Sequence, residues 1–178
     1  MRKSILLIAA FFVLFSSPLV WAFEPDTSDE MQLSVAKAIL DIQKADPGIS
    51  KFFDGAAGYA VFPKVGKGGI GIGGAYGKGL VIVNDQAVGN TSLKQATIGF
   101  QLGGQVYSQF IFFEDDVALG HFQRGNWEMG AQASAVAVTL GASADANYDS
   151  GVAVFTHVGG GLMYEATISG QKFSYEPL

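Results

Sequence analysis

The residues able to do covalent or metal chemistry are few and badly spaced for it. The chain has no cysteine and two histidines, His121 and His157, so a zinc site would have to combine both with carboxylates. Glu114, Asp115 and Asp116 stand together, but consecutive side chains on a helix do not converge on one ion. They read better as the first turn of a short helix, where the helix dipole favours acids. Ser134 and Ser143 lie in small-residue stretches with no nucleophile-elbow pattern. Gly69-Ile70-Gly71-Ile72-Gly73-Gly74 fits GxGxxG in form, yet strand-like alternation runs straight through it, where a dinucleotide fingerprint needs a strand to end and a helix to begin. The sequence therefore predicts no catalytic residue, no metal, no cofactor and no enzyme. What it offers instead is surface chemistry. Lys51, Lys64, Lys67 and Lys78 fall in one window opposed only by Asp54, so the window carries +3 in an acidic chain. Phe52, Phe53 and Phe62 are interleaved with them, and Tyr59 and Tyr76 lie close by. Lysines near an anionic bilayer contribute about 1 kcal/mol each, and rings beside them can enter the acyl region. The four lysines as headgroup contacts, and the three phenylalanines as inserting groups, form the expected site.

Charge and composition narrow the partners. The whole chain has a net charge of −5. Its first 22 residues read as a signal peptide, with Arg2 and Lys3, an apolar run from Ile5 to Phe15, and Val20-Trp21-Ala22 as a small-residue cleavage site. Without Arg2 and Lys3 the counts become 9 basic against 16 acidic residues, a net −7 over residues 23–178. That balance argues against nucleic acid, whose binding depends on neutralising phosphates. The absence of cysteine excludes disulfides and acylation of a lipoprotein thiol. The expected location is the periplasm or the exterior, peripheral to a membrane, with residues 23–178 as a single domain.

The elements that must position the lysines follow from periodicity. Thr27-Ser28-Asp29-Glu30 has the form of a capping box with Thr27 as N-cap. Met31, Val35, Ala38, Ile39 and Ile42 then make one apolar face, predicting a helix from Ser28 to Ala45 that Asp46-Pro47-Gly48 ends. Ile49 to Phe53 adds a short helical turn. From Gly55 to Leu80 ten of the chain's 24 glycines occur in 26 residues, and the period drops to 2. This stretch predicts strands near 57–63, 69–74 and 79–84, two of them joined by a tight glycine connection. Ile98, Phe100, Leu102, Val106, Phe110 and Phe112 alternate with Thr97, Gln101, Gln105, Tyr107 and Gln109, predicting one antiparallel strand, or two strands bent at Gly103-Gly104, with one buried and one wet face. A helix over 114–122, a small-residue strand region over 128–146, a hairpin over 151–158 and 162–169, and an edge strand over 171–175 complete the pattern. The sum is an α+β fold: an N-terminal helix, then a glycine-rich, mainly antiparallel sheet curled into a barrel or sandwich, with one short inserted helix.

Three blocks carry a resemblance. They are AAGYAVFPKVGKGGIGIGGAYGKGLVI from Ala56, GFQLGGQVYSQFIFFEDDVALGHF from Gly99 and GVAVFTHVGGGLMYEATISGQKFSY from Gly151. In order and spacing, over residues 29–178, they resemble the lipid-binding SYLF domain family. The resemblance implies a non-enzymatic binder of phospholipid or phosphoinositide; some eukaryotic members also bind actin, and bacterial members are mostly exported. The long basic N-terminal extension of eukaryotic members has no counterpart here. The implied ligand is thus an anionic phospholipid of a bacterial envelope, such as phosphatidylglycerol, cardiolipin or phosphatidic acid, with protein partners unspecified. Three other readings stay open at this point: an integral outer-membrane β-barrel of eight strands, an enzyme acting on lipid or glycan, and a structural or partner-binding envelope module.

Overall fold

A computed structural model describes residues 23–99, 104–130, 133–159 and 168–178. The expected signal peptide, Gly103 of the expected bend and most of the expected strand 162–169 lie outside the described residues.

Helix α1 runs over Glu30–Ala45. Its N-cap is Asp29 rather than Thr27, because the Asp29 carboxylate accepts from the amides of Met31 at 2.8 Å and Gln32 at 3.0 Å. Val35, Ala38, Ile39 and Ile42 are its buried stripe, as the 3–4 spacing demands. A 3-10 turn, Pro47–Ile49, leads into α2, Ser50–Gly55. The pivot between the helices is Asp46, only 2% exposed. One carboxylate oxygen accepts from Gly48 N at 3.1 Å and the other from Ser143 N at 2.7 Å. Lys51 adds a second tie to the same loop, donating to the Ala144 carbonyl at 3.2 Å.

The strands are β1 Gly58–Val83, β2 Gln86–Gly99, β3 Gly104–Phe113, β4 Trp127–Glu128, β5 Val136–Ala137, β6 Val152–His157 and β7 Lys172–Pro177, with helix α3, Asp116–Gln123, between β3 and β4. They form one sheet in the order β4-β7-β2-β1-β3-β6-β5, antiparallel except where β5 meets β6. β1 is long enough to cross the sheet twice. Its first half pairs with β3 and its second half with β2. A Cβ placed on Gly58, Gly77 or Gly79 would lie 3.0 Å from Ile82 O, 3.1 Å from Lys64 O and 2.1 Å from Val61 O, respectively. These approaches run in opposite directions along the two halves, so β1 doubles back around Gly69 and the curled half-barrel has eight strand segments. Gly69 itself sits where a Cβ would fall 2.3 Å from the Gly73 Cα. At Gly58, Gly69, Gly77 and Gly79 glycine is therefore a packing requirement: two backbones pass too closely for side chains.

Alternation along each strand divides the core in two. Tyr59, Val61, Leu80, Ile82, Phe110, Phe112, Ala153 and Phe155 face outward beneath α1 and α2. Ala60, Phe62, Val65, Val81, Leu93, Ile111, Phe113, Val154 and Phe173 face the concave interior, closed by α3, Met129 and Ile168. This corrects the expectation of a wet face on β3. Tyr107 is 2% exposed and Gln109 fully buried, because curvature turns that face inward, while Val106 on the supposedly buried side is 62% exposed. Gln109 is satisfied by Gln171, the two amides donating to each other at 2.7 and 3.2 Å. The small-residue region 128–146 is likewise not one long strand. Ala and Ser give little cross-strand packing, and turn bonds such as Ala133 N to Gly130 O and Ala144 N to Gly141 O take over, leaving only β4 and β5 as strands among the described residues of this region. β7 is interior to the sheet rather than at its edge, with β4 lying beyond it.

Candidate anion-binding face

The seven residues of the expected site separate in three directions. Phe52 and Phe53 belong to the outer core and Phe62 to the inner one, at 2%, 9% and 0% exposure. Phe52 packs edge-on against Phe155 at 4.8 Å between ring centroids, and Phe53 edge-on against Phe112 at the same distance. Phe62 meets Phe173 at 5.7 Å. This overturns their expected role in insertion: a domain of this size needs large rings inside, and the two helices and the curled sheet enclose these three. Lys51 is exposed but tied to the loop carbonyl of Ala144, with its ammonium 5.0 Å from the Phe52 ring. Lys67 is partly buried at the end of the inner face, opposite Gln105. Lys64 and Lys78 are both exposed, and the Lys64 carbonyl lies beside Gly77, so these two stay neighbours on the outer face.

On that face the sheet brings in two lysines that lie far off in the chain. In the register of β1, β2 and β7, Tyr76 opposes Lys94 and Lys94 opposes Lys172. Glu128 of β4 continues the row, 3.6 Å from the Lys172 ammonium. The adjacent row is Lys78, Ser92 and Ser174, whose two serine hydroxyls share a hydrogen bond of 2.7 Å. Leu93 and Phe173 are buried in the inner core, so their neighbours Lys94 and Lys172 point outward. Opposed residues on paired strands have Cα atoms about 5 Å apart, and like charges held that way repel. Glu128 relieves Lys172 in part; Lys94, Lys78 and Lys64 have no ion pair among the described residues. Tyr76 at 48% and Ile72 at 76% exposure extend the lysine rows along β1 as apolar neighbours. The arrangement suits an anionic, partly apolar partner: ammonium groups in a fixed grid, hydroxyls between them and an aliphatic and an aromatic side chain at one end.

Among the described residues no group of three or more His, Asp and Glu is placed to hold a metal ion. No helix there is long and apolar enough to cross a membrane. Burial pushes the Tyr107 hydroxyl up to about 12, with a contact from Gln171 acting the other way, so this interior phenol stays neutral.

A family model described as Ysc84, a Las17-binding protein actin regulator, matches residues 94–176. Beta cell expansion factor A of Aeromonas veronii is 30% identical over 155 residues, which is 84% of this chain and 59% of that relative. The chain belongs to the Ysc84/SYLF family. The match starts at Lys94 and passes Lys172, so it includes both of the distant lysines that the sheet brings beside Tyr76 and Lys78. The SYLF chain spans about three-fifths of the length of the curated relative. Membership supports a lipid- or partner-binding module, and the family is generally non-enzymatic.

Proposed function

We propose that this SYLF chain is a non-enzymatic binder of anionic phospholipid that docks on a bacterial envelope membrane, from the periplasmic or outer side, after its signal peptide is removed. The observation that carries this reading is the direct opposition of Lys94 and Lys172, flanked by Lys78 and by exposed Tyr76 and Ile72. Opposed ammonium groups, of which only Lys172 is partly relieved by Glu128, cost stability in the free protein, and a sheet of phosphates offsets that cost. Lys64 and Lys78 remain from the basic window of the sequence; Lys94 and Lys172 join them.

Vesicle co-sedimentation tests it. The chain should sediment with phosphatidylglycerol-containing vesicles and not with neutral phosphatidylcholine ones, and raising salt from low to physiological strength should release it. The Lys78→Gln, Lys94→Gln and Lys172→Gln triple variant should lose roughly 3 kcal/mol, or about two orders of magnitude in partition. Equal binding to neutral vesicles, or an unchanged partition in the triple variant, sinks the reading. Recovery of the protein without detergent from osmotic-shock fluid, beginning at or near Phe23, would support the location; retention of residues 1–22 would count against it.

A further inference from the structure

A groove of about 390 Å³ lies on the same outer face, between α1 and the start of the sheet. Ser34, Lys37 and Asp41 line it from the helix, and Lys64, Ser108 and His157 from β1, β3 and β6, over Pro63 and Val106. Lys37 is held by Asp41 at 2.6 Å, which fixes one ammonium at the helix wall and leaves the Lys64 ammonium as the net positive charge. The Ser108 hydroxyl donates to the His157 carbonyl at 3.2 Å, which joins β3 to β6 beneath the groove and keeps that hydroxyl oxygen available as an acceptor. The Nδ1 atom of His157 is buried and has no hydrogen-bond partner among the described residues. The Ser34 hydroxyl also lines the groove.

We infer that this groove is a second anion site, beside the lysine rows and sharing only Lys64 with the docking face, and that it takes a phosphate monoester group. The placement of the donors decides the class of anion. Donors stand on both walls, Ser34 and Lys37 on the helix and Lys64 on the sheet, and the tetrahedrally disposed oxygens of a phosphate can face both walls at once where the coplanar oxygens of a carboxylate cannot. The wall of Pro63 and Val106 accepts a short apolar portion next to that group. The same chemistry is borne by a soluble phosphomonoester and by the exposed head of phosphatidic acid. The inference does not rest on membrane docking by the lysine rows.

The test is titration of the ¹⁵N-labelled chain with glycerol 3-phosphate, followed by amide shifts. A second arm uses phosphatidylcholine vesicles with and without phosphatidic acid. Saturable shifts confined to residues near 34–41, 64, 106–108 and 157 are expected. Lys64→Gln should weaken binding about tenfold, a change of about 1.4 kcal/mol. His157→Gln should weaken it too, whereas Lys94→Gln should leave the soluble ligand's affinity unchanged. Shifts with the soluble ester identify a free phosphomonoester as a ligand. Lys64-dependent binding to phosphatidic acid vesicles alone assigns the headgroup instead. Both outcomes support the site. Lys64 is exposed, so Lys64→Gln folds and the comparison is clean. Shifts that do not saturate, that scatter over all the lysines, or that persist unchanged in Lys64→Gln overturn it.

Discussion

At the scale of single residues, two buried polar groups hold parts of the chain that are distant in sequence. Gln109 and Gln171 satisfy each other inside the apolar interior, 62 residues apart. Gln109→Leu removes one partner and leaves the other amide desolvated, so urea unfolding should show a loss of about 1–3 kcal/mol. Replacing both with Leu should recover part of that loss, because the penalty lies in the orphaned group rather than in the missing bond. Asp46 is the other such group. Burial works against its charge, but hydrogen bonds from Ser143 and from Gly48 outweigh it and hold the carboxyl below its ordinary 3.8. A depressed folded-state value means that its stabilisation is complete above the unfolded value and drains away as pH falls through the folded one. The wild type should therefore lose more stability below about pH 4 than Asp46→Asn does. At neutral pH that variant should be weaker by roughly 1.5–3 kcal/mol, the range for hydrogen bonds to a charged group. If the two acid-unfolding curves run parallel, Asp46 is not the group responsible. The sequence announced neither role. Asp46 is legible as a helix stop beside Pro47, and Gln109 as the polar phase of a strand. Their partners at 143 and 171 are set by tertiary contact alone.

At the scale of elements, the glycine-rich hairpin is the part that the sequence disclosed best. Alternation and the density of glycine pointed to strands with a tight connection; the expected breaks at 64–68 and 75–78 are continuous strand instead, and β1 doubles back at Gly69, which falls within the expected second strand. Positions within it differ sharply in what they tolerate. A methyl at Gly79 would lie 2.1 Å from the Val61 carbonyl oxygen, whereas Gly66 has nothing within 4 Å. Gly79→Ala should cost about 1–3 kcal/mol by overpacking, and Gly66→Ala should be neutral or slightly stabilising. A thermal melt of the two variants separates them, and equal melting temperatures would falsify the hairpin's close approach. The helices were legible too, α1 from its 3–4 stripe and α3 from its acidic first turn. The N-cap of α1 moved by two residues because Thr27 and Asp29 both satisfy the local pattern, and only geometry chooses between them. The wet face assigned to β3 failed for a physical reason. Polar residues at every second position say that a face is tolerant of polarity, not that it meets water. Curvature buried that face, and Gln171 made the burial affordable. The candidate binding face was half legible. Lys64 and Lys78 stood out as charges in a glycine run, while Lys94 and Lys172 join them only through the β1–β2–β7 register.

At the scale of the whole molecule, the outer surface of the sheet is shared by two different coverings. Helices α1 and α2 seal the end near Leu80, Ile82, Phe110 and Phe112. The other end, along Tyr76, Lys78, Lys94 and Lys172, is left to solvent or to a partner. The same register has a consequence for how the chain assembles. Ser92 waits for Ser174, 82 residues further along, and β4 attaches to the sheet only through β7. Contacts of such separation form slowly, since the loop must close before any pairing rewards it. As the chain emerges from its N-terminal side, β1, β2 and β3 can zip together early, but β2 keeps a bare rim until residues 172–177 arrive. The lysine grid comes into being at that same final moment, so on the proposed reading a half-made molecule has no grid with which to stick to an anionic surface, and recognition would wait until folding is done.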